Sequence, residues 1–278
     1  MLRNIGEAWV RRKSVDVPQE EVITCGGLKV HVHCVHAPHL QGKTLLFASD
    51  FHVQNRRIYS IPGFSSAVGV EHVKRLLYPA VEQFKPDFFV FGGDLATESC
   101  LIPDILPFLQ EIGRKIPAIA VPGNWDLRRK WLPPTFWRRW YQEASFHFLQ
   151  NRSLLCPGIA FYGADDLKRG NPVFPESFLD APFRCVAFHH PDTVALLSED
   201  QLAQVDLILA GHTHGGQIRV PWFGALFSAT LKWKRFEYGA YQHKNGKTML
   251  LVSSGLGTTW LPYRIFNPPE ACLIRFVS

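Results

Sequence analysis

Several things are missing from this sequence, and each absence closes a class of explanation. No uninterrupted apolar run approaches the roughly 20 residues that a bilayer-spanning helix needs. The six cysteines (Cys25, Cys34, Cys100, Cys156, Cys185, Cys272) contain no C-x-x-C pair. A disulfide framework is not expected in a chain of 278 residues with such scattered thiols, which fit a reducing, cytosolic setting. Low-complexity tracts, internal repeats and Gly/Ser linkers are also lacking, so one domain is expected across 1–278. Two G-K-T triplets, at 42–44 and 246–248, lack the glycine five positions earlier, where Ala37 and Tyr241 stand. Neither is a phosphate-binding loop. The twin arginine of "VRRKS" (10–14) runs into "VDVPQEEV" instead of an apolar stretch, so no leader is expected.

What is present reads as a globular protein. Hydrophobic residues make up 46% and charged residues 19%, enough of each for a buried core and a solvated surface. A net charge of +6, from 30 Lys and Arg against 24 Asp and Glu, suits an anionic partner. The cations are not evenly spread. "RRKW" (128–131), "WRRWY" (137–141) and "LKWKRFEY" (231–238) mix them with aromatic rings. Such stretches suit a lipid–water interface, and they equally suit solvated faces with snorkelling side chains.

Short apolar runs alternate with helix-like stretches in the first half. "KTLLFASD" (43–50), "PDFFVFGGD" (86–94) and "IPAIAVPGN" (116–124) read as buried strands. "GVEHVKRLLYPAVEQF" (69–84) and "IPDILPFLQEIGRK" (102–115) read as helices despite their prolines. The second half adds strands in "GIAFYGADD" (158–166), "FRCVAFHHPD" (183–192) and "VDLILAGHTH" (205–214), and a hairpin at Asn245-Gly246. The expected fold is α/β: a four-layer α/β/β/α sandwich of two mixed sheets flanked by helices, with a basic, aromatic insertion or cap at about 127–150. "LKVHVHCVH" (28–36) alternates like a strand, so His31 and His33 are expected to be structural.

The strand ends carry the chemistry. Asp50 with His52, Asp94, Asn124, His189 with His190, and His212 with His214 all follow apolar strands. Ligands of open α/β folds gather at the carboxyl ends of strands, and turn chemistry alone does not account for such a set. In D-x-H, residues i and i+2 of a strand exit face the same way and can grip one ion. Gly211 before the H-T-H run lets backbone approach closely. A carboxylate such as Asp94 can bridge two ions. Mixed imidazole, carboxylate and amide donors suit manganese, iron or zinc, and not a thiolate-selecting site; manganese is the expected ion.

In order, D-x-H (Asp50, His52), G-D (Gly93, Asp94), G-N (Gly123, Asn124), a histidine in "FHHPD" and G-H-x-H (Gly211, His212, His214) resemble the calcineurin-like metallophosphoesterases. That resemblance implies two divalent metal ions about 3.5–4 Å apart. One would be held by Asp50, His52, Asp94 and His214, the other by Asp94, Asn124, His189 and His212, with Asp94 and Asn124 at the catalytic centre. His189 is preferred over His190 because the family's usual run is H-N-P, which leaves His190 on the substrate side. The tail "SSGLGTTWLPYRIFNPPEACLI" (253–274) is similar to a bacterial branch ending in G-L-G…P-x-R…P-P-E.

The chain departs from the family at Trp125, where many members have a histidine that protonates the leaving group. Indole donates one N–H and carries no such proton. General-acid help is worth about 10²–10⁴-fold, so its loss suits a leaving group that needs none. A phosphate monoester, with a second pKa near 6, is one. "GNWDLRRKW" further resembles, in kind, the G-N-R-D motif and basic insertion of UDP-2,3-diacylglucosamine hydrolases. By that resemblance the chain converts UDP-2,3-diacylglucosamine to UMP and 2,3-diacylglucosamine 1-phosphate in lipid A synthesis. Trp125, Asp126, Arg128, Arg129, Trp131, Trp137 and His190 would meet the substrate, the arginines taking the pyrophosphate and the tryptophans, Trp140 included, the acyl chains. An acylated nucleotide sugar is then the partner, with peripheral contact to anionic membrane on the cytoplasmic face of the inner membrane, and no nucleic acid. A phosphodiesterase or phosphatase with a small soluble substrate is the alternative, and a non-catalytic scaffold is another.

Overall fold

The computed structural model describes residues 8–11, 21–54, 65–66, 69–129, 131–226, 236–259 and 261–278. Residues 12–14 of the twin-arginine stretch and the basic-aromatic residues 231–235 lie outside these. Two seven-stranded mixed sheets form the centre of the described fold. One contains β2 (Glu21–Cys25), β3 (Leu28–His36), β4 (Thr44–Ala48), β6 (Phe88–Phe91), β7 (Ala118–Ala120), β8 (Phe146–Phe148) and β18 (Glu270–Val277), ordered β2-β3-β18-β4-β6-β7-β8. The other contains β1 (Trp9–Arg11), β9 (Arg152–Cys156), β10 (Ile159–Gly163), β11 (Phe183–Ala187), β12 (Leu207–Ala210), β15 (Gly239–His243) and β16 (Met249–Val252), ordered β1-β15-β16-β12-β11-β10-β9. Strands β4, β6, β7 and β8 are mutually parallel, as are β10, β11, β12 and β16.

Period-two alternation divides each central strand between two cores. In β4, Leu45 and Phe47 face the other sheet, while Leu46 and Ala48 face the outer helices. Phe88 and Val90 against Phe89 and Phe91 in β6 divide in the same way. On the second sheet, Leu207 and Leu209 point inward, and Ile208 and Ala210 point to the opposite outer layer. Burial on both faces is why these strands are apolar throughout. Helices α1 (Val70–Phe84), α2 (Ile102–Lys115) and α3 (Pro134–Glu143) cover the first sheet, and the short α4 (Glu199–Gln204) packs on the second. The apolar stripe of α1, Val73, Leu76, Leu77, Ala80 and Val81, follows helical spacing and holds the helix on the sheet despite Pro79. The expected four layers are present.

Segment 127–150 corrects an expectation. It is not a cap: α3 is a crossover helix, and β8 extends the first sheet in parallel register with β7, Ala118 opposite Phe146 and Ala120 opposite Phe148. Trp137, Trp140 and Tyr141 lie on the buried face of α3. The Asn245-Gly246 hairpin forms as expected, Asn245 Oδ1 accepting from the N–H groups of Lys247 and Thr248 at 3.0 Å each. Two small pairs complete the fold: β13 (Arg219–Val220) with β14 (Gly224–Ala225), and β5 (Ser65–Ser66) with β17 (Tyr263–Arg264). His31 lies 3.6 Å from Glu270, and His33 is buried within β3, both outside the strand-end cluster. No described helix is long and apolar enough to cross a membrane.

Candidate metal centre

Strands β4, β6, β7, β11 and β12 run directly into Asp50, Asp94, Asn124, His189 and His212. The backbone there is not extended. Asp50, His52, Asp94, His212 and His214 have φ of 55°, 45°, 60°, 71° and 50°, the left-handed region that non-glycine residues seldom occupy. The i, i+2 geometry of a strand therefore does not explain how Asp50 and His52 come together; a left-handed fold-back at each of the two residues does. Loop-to-loop hydrogen bonds hold the conformation: Asp50 N donates to Gly93 O at 2.9 Å and His52 N to Asp94 O at 3.0 Å. Such strain persists where surrounding contacts over-determine it, and it concentrates at functional sites. Gly123 is required by the same crowding, because a Cβ there would run into the Asp94 carboxylate.

Two buried clusters result, Asp50–His52–His214 and Asp94–His189–His212, each with its donor atoms within 4.8 Å of one another. In the first, Nε2 of His52 and His214 face each other at 3.1 Å, with Asp50 Oδ1 3.4 Å from His214 Nε2. In the second, His212 Nδ1 lies 3.1 Å from His189 Nε2. Asp94 Oδ2 stands 3.3 Å from His52 Nε2 and 3.1 Å from His189 Nε2, so one oxygen faces both clusters. Asn124 Oδ1 is buried without a hydrogen-bond partner. An orphaned amide oxygen among converging imidazoles and carboxylates is the donor set a divalent ion completes. The residues fit a dinuclear centre: the six of the two clusters converge, and Asn124 lines the cavity beside them.

Electrostatics agree with that fit. Burial, then the neighbouring His189, lowers His212 well below its ordinary value; burial, then His52 and Arg264, does the same to His214. Both are neutral at pH 7, as ligation requires. Burial alone would also lower His189, but the Asp94 and Asp50 carboxylates outweigh it and push it up to about 10. Without metal, the His189 imidazolium supplies the positive charge that these carboxylates need. His189 Nδ1 is 2.8 Å from Gly92 O, and His52 Nδ1 is 3.2 Å from Thr97 Oγ1, contacts that orient each ring's Nε2 inward.

The residues expected to meet substrate divide. Trp125 lines a cavity of about 820 Å³ beside the clusters, together with Arg128, Lys168, Arg169, Ile218 and Leu261. Its backbone N–H donates to Asp94 Oδ1 at 2.8 Å, its indole meets His52 edge-on, and the Arg128 guanidinium stacks over it at 4.7 Å. The tryptophan thus helps orient Asp94, walls the cavity and carries a cation. Trp131 is 72% exposed and does not line that cavity. His190 is buried against the His212 ring, and its Nδ1 accepts from Asp192 N.

Three residues correct the expectation outright. Trp137 is 1% exposed in the helix-side core and donates from Nε1 to Asp126 O at 3.1 Å, so its indole is closed to acyl chains, as is that of buried Trp140. The Asp126 carboxylate accepts from the N–H groups of Asp94, Leu95 and Gly123 at 2.9, 2.9 and 2.8 Å and has no free edge for substrate. Burial and the Asp94 charge push it up to about 6 against those three donors. Arg129 is partly diverted too, donating to Thr97 O at 2.5 Å.

Three contributors were not singled out in the sequence. Lys168 Nζ lies 2.7 Å from His212 Nε2 and lines the cavity. The Asp166 carboxylate accepts from Lys168 N and Arg169 N at 2.9 and 2.7 Å, shaping that loop; its signal was the acidic end of "GIAFYGADD". Buried Arg264, the arginine of the P-x-R run, donates to Ser254 O at 2.7 Å and Gly257 O at 2.6 Å, and stands 3.3 Å from His214 Nδ1.

Comparison with known proteins matches this arrangement. The calcineurin-like phosphoesterase family model covers residues 43–216, from β4 to just past the H-T-H run. The chain is similar to the metallophosphoesterase YkuE of Bacillus subtilis, 31% identical over 220 residues, 71% of this chain and 70% of that protein. It is similar to the phosphodiesterase YaeI of Escherichia coli K12, 27% identical over 243 residues, 84% of this chain and 82% of that one. With the UDP-2,3-diacylglucosamine pyrophosphatase LpxG of Chlamydia muridarum it shares 33% identity over 110 residues, 38% of this chain and 30% of that one. With its family match running through every strand that ends in a ligand, the chain belongs to the calcineurin-like phosphoesterases.

Proposed function

We propose that this metallophosphoesterase hydrolyses the phosphoanhydride of UDP-2,3-diacylglucosamine, giving UMP and 2,3-diacylglucosamine 1-phosphate. One observation carries the reading. The residue after Asn124, on the cavity wall beside Asp94, is an indole bearing a stacked guanidinium, not a proton donor. The two clusters would hold divalent ions, manganese the first to test, which would supply polarisation of the phosphoryl group and activation of water.

The chain's own residues do the rest. Asp94 ties the two clusters into one frame, and the Trp125 N–H fixes its second oxygen. Arg128, Lys168 and Arg169 bring positive charge to the cavity wall, where they orient phosphate oxygens and offset charge that develops on them. A departing phosphate monoester needs no proton, which the indole could not give. Ile218 and Leu261 form an apolar part of the same wall, suited to the start of an acyl chain. The partial similarity to LpxG supports this substrate.

The second reading, a phosphodiesterase with a small soluble substrate, draws on the similarity to YaeI across 84% of the chain. Purified protein given Mn²⁺ and UDP-2,3-diacylglucosamine in detergent micelles is expected to release UMP much faster than it releases nitrophenol from bis-p-nitrophenyl phosphate. The reverse ranking selects the second reading. Asp94→Ala is expected to abolish turnover of both and to lose bound metal; retained activity would overturn the dinuclear centre.

A further inference from the structure

Beyond the cavity, its apolar wall continues into a patch that nothing in the described fold covers. Hairpin β13–β14 begins three residues after Gly216, and its tip presents Trp222, fully exposed, and Phe223, 84% exposed. Leu226, Leu261 and Phe266 are exposed as well. These residues come from two separate segments that hydrogen bonds join. Arg219 N donates to Ile265 O, Ile265 N to Gln217 O, and Leu226 N to Ile218 O. The Gln217 amide clamps the rim further, donating from Nε2 to Thr259 O, Leu261 O and Tyr263 O at 3.1, 2.7 and 3.1 Å. Gln217 also lines the cavity, so the patch and the metal centre share a framework.

Apolar side chains exposed together on hydrogen-bonded segments of a charged protein mark a contact surface. Its chemistry selects the partner. A Trp-Phe tip on a fixed two-stranded hairpin suits the headgroup boundary of a bilayer, where such rings partition. The nearby cavity wall carries Arg128, Lys168 and Arg169, with Asp94 as its one carboxylate, which faces inward to the clusters. Arg219, at the base of the hairpin, is paired with Glu237 at 3.2 Å and adds no free charge to the tip. Exposed Leu261 belongs to the same wall as Arg128, Lys168 and Arg169, so apolar and cationic surface adjoin there, which is the complement of an anionic phospholipid surface.

We infer that the β13–β14 tip, with Leu226, Leu261 and Phe266, seats the protein on anionic phospholipid bilayers with the mouth of the metal centre toward the headgroups. This places membrane contact on the 219–226 and 261–266 rim and not on the 127–150 segment, whose aromatic residues on α3 are largely buried in the core. The seating delivers acylated substrates, but it is a property of the surface and does not depend on the substrate proposed above.

The test uses the full chain and vesicles of phosphatidylcholine with phosphatidylglycerol, against phosphatidylcholine alone. Wild type is expected to co-sediment with the anionic vesicles, less so as salt rises. The double variant Trp222→Ser, Phe223→Ser is expected to lose about tenfold or more in vesicle partition. Its turnover of bis-p-nitrophenyl phosphate without vesicles should be unchanged, which shows that fold and site are intact. Wild type left in the supernatant with both vesicle types, or a double variant that binds as well as wild type, overturns the inference. So does a wild-type dimer that the double variant converts to monomer, since the patch would then be an interface between two copies. Vesicle binding is read without substrate, so its failure leaves the pyrophosphatase reading standing, and failure to release UMP leaves the docking surface standing.

Discussion

Residues 134–143 and the hairpin tip at 221–223 both carry aromatic rings, and the fold uses them in opposite ways. In α3, Trp137, Trp140 and Tyr141 recur at helical spacing, and that stripe packs onto β7 and β8 behind the site. Trp137 reaches Asp126 O, and the Asp126 carboxylate in turn fixes the backbone of Asp94 and Gly123. At 221–223, Trp222 and Phe223 sit in the turn that joins β13 and β14, and both are exposed to solvent. One set supports the metal centre from the inside, and the other is left to solvent. Aromatic residues mixed with cations do not say which will happen; spacing and the presence of a sheet face to cover do.

The largest expected effect tests the supporting side. Trp137→Ala removes a fully buried indole and should cost about 3–5 kcal/mol of unfolding free energy in urea titrations. It should also weaken metal retention through Asp126. A loss below 1 kcal/mol would mean that α3 is a cap after all.

Next in size is a pH effect on the centre both regions serve. With His189 pushed up to about 10, its proton must leave before an ion can take Nε2. Raising the pH toward 10 therefore favours metal, and the apparent affinity should rise about tenfold per pH unit between pH 7 and 9. Calorimetry in buffers of different ionisation enthalpy should show about one proton released per centre filled at pH 7.5. In the metal-free protein, the same raised value contributes stability that is fully present below 6.5 and is lost as pH rises through about 10. A flat affinity profile would mean that His189 is already neutral at pH 7 in the metal-free protein.

A smaller effect is expected at the mouth. Trp125→His keeps the backbone N–H on Asp94 and returns an imidazole to the cavity wall. Turnover of phosphodiesters with alkoxide leaving groups should rise about tenfold, with phosphoanhydride cleavage little changed. A gain on both substrates would show that leaving-group protonation does not separate them. Smallest of all, Trp222→Ser should leave unfolding free energy within about 0.5 kcal/mol of wild type, since its ring is fully exposed. A larger loss would return the hairpin tip to the packed interior.

Much of the site was legible along the chain because each ligand follows an apolar strand, and parallel strands bring their carboxyl ends together. The order Asp50, His52, Asp94, Asn124, His189, His212, His214 needed no coordinates. Asp126 was misread because a carboxylate beside Asn124 resembles a substrate contact until the N–H groups of Asp94 and Leu95, over thirty residues earlier, are seen to converge on it. Lys168 and Arg264 were overlooked for a related reason. Their partners, His212 and the 254–257 carbonyls, meet them only once separate loops close over the strand ends.

By itself the sequence determined the central strands β3, β4, β6, β7, β10, β11 and β12, helices α1 and α2, the sandwich they form and the polar set at its edge, because period-two and helical apolar patterns are local and those polar residues follow them. Tertiary structure decided which aromatic stripe finds a sheet face to cover and is buried. It also decided which carboxylate is a ligand and which a backbone cradle, and which loops form the mouth. Those outcomes depend on desolvation and on hydrogen bonds between residues far apart in sequence, and no local pattern encodes either.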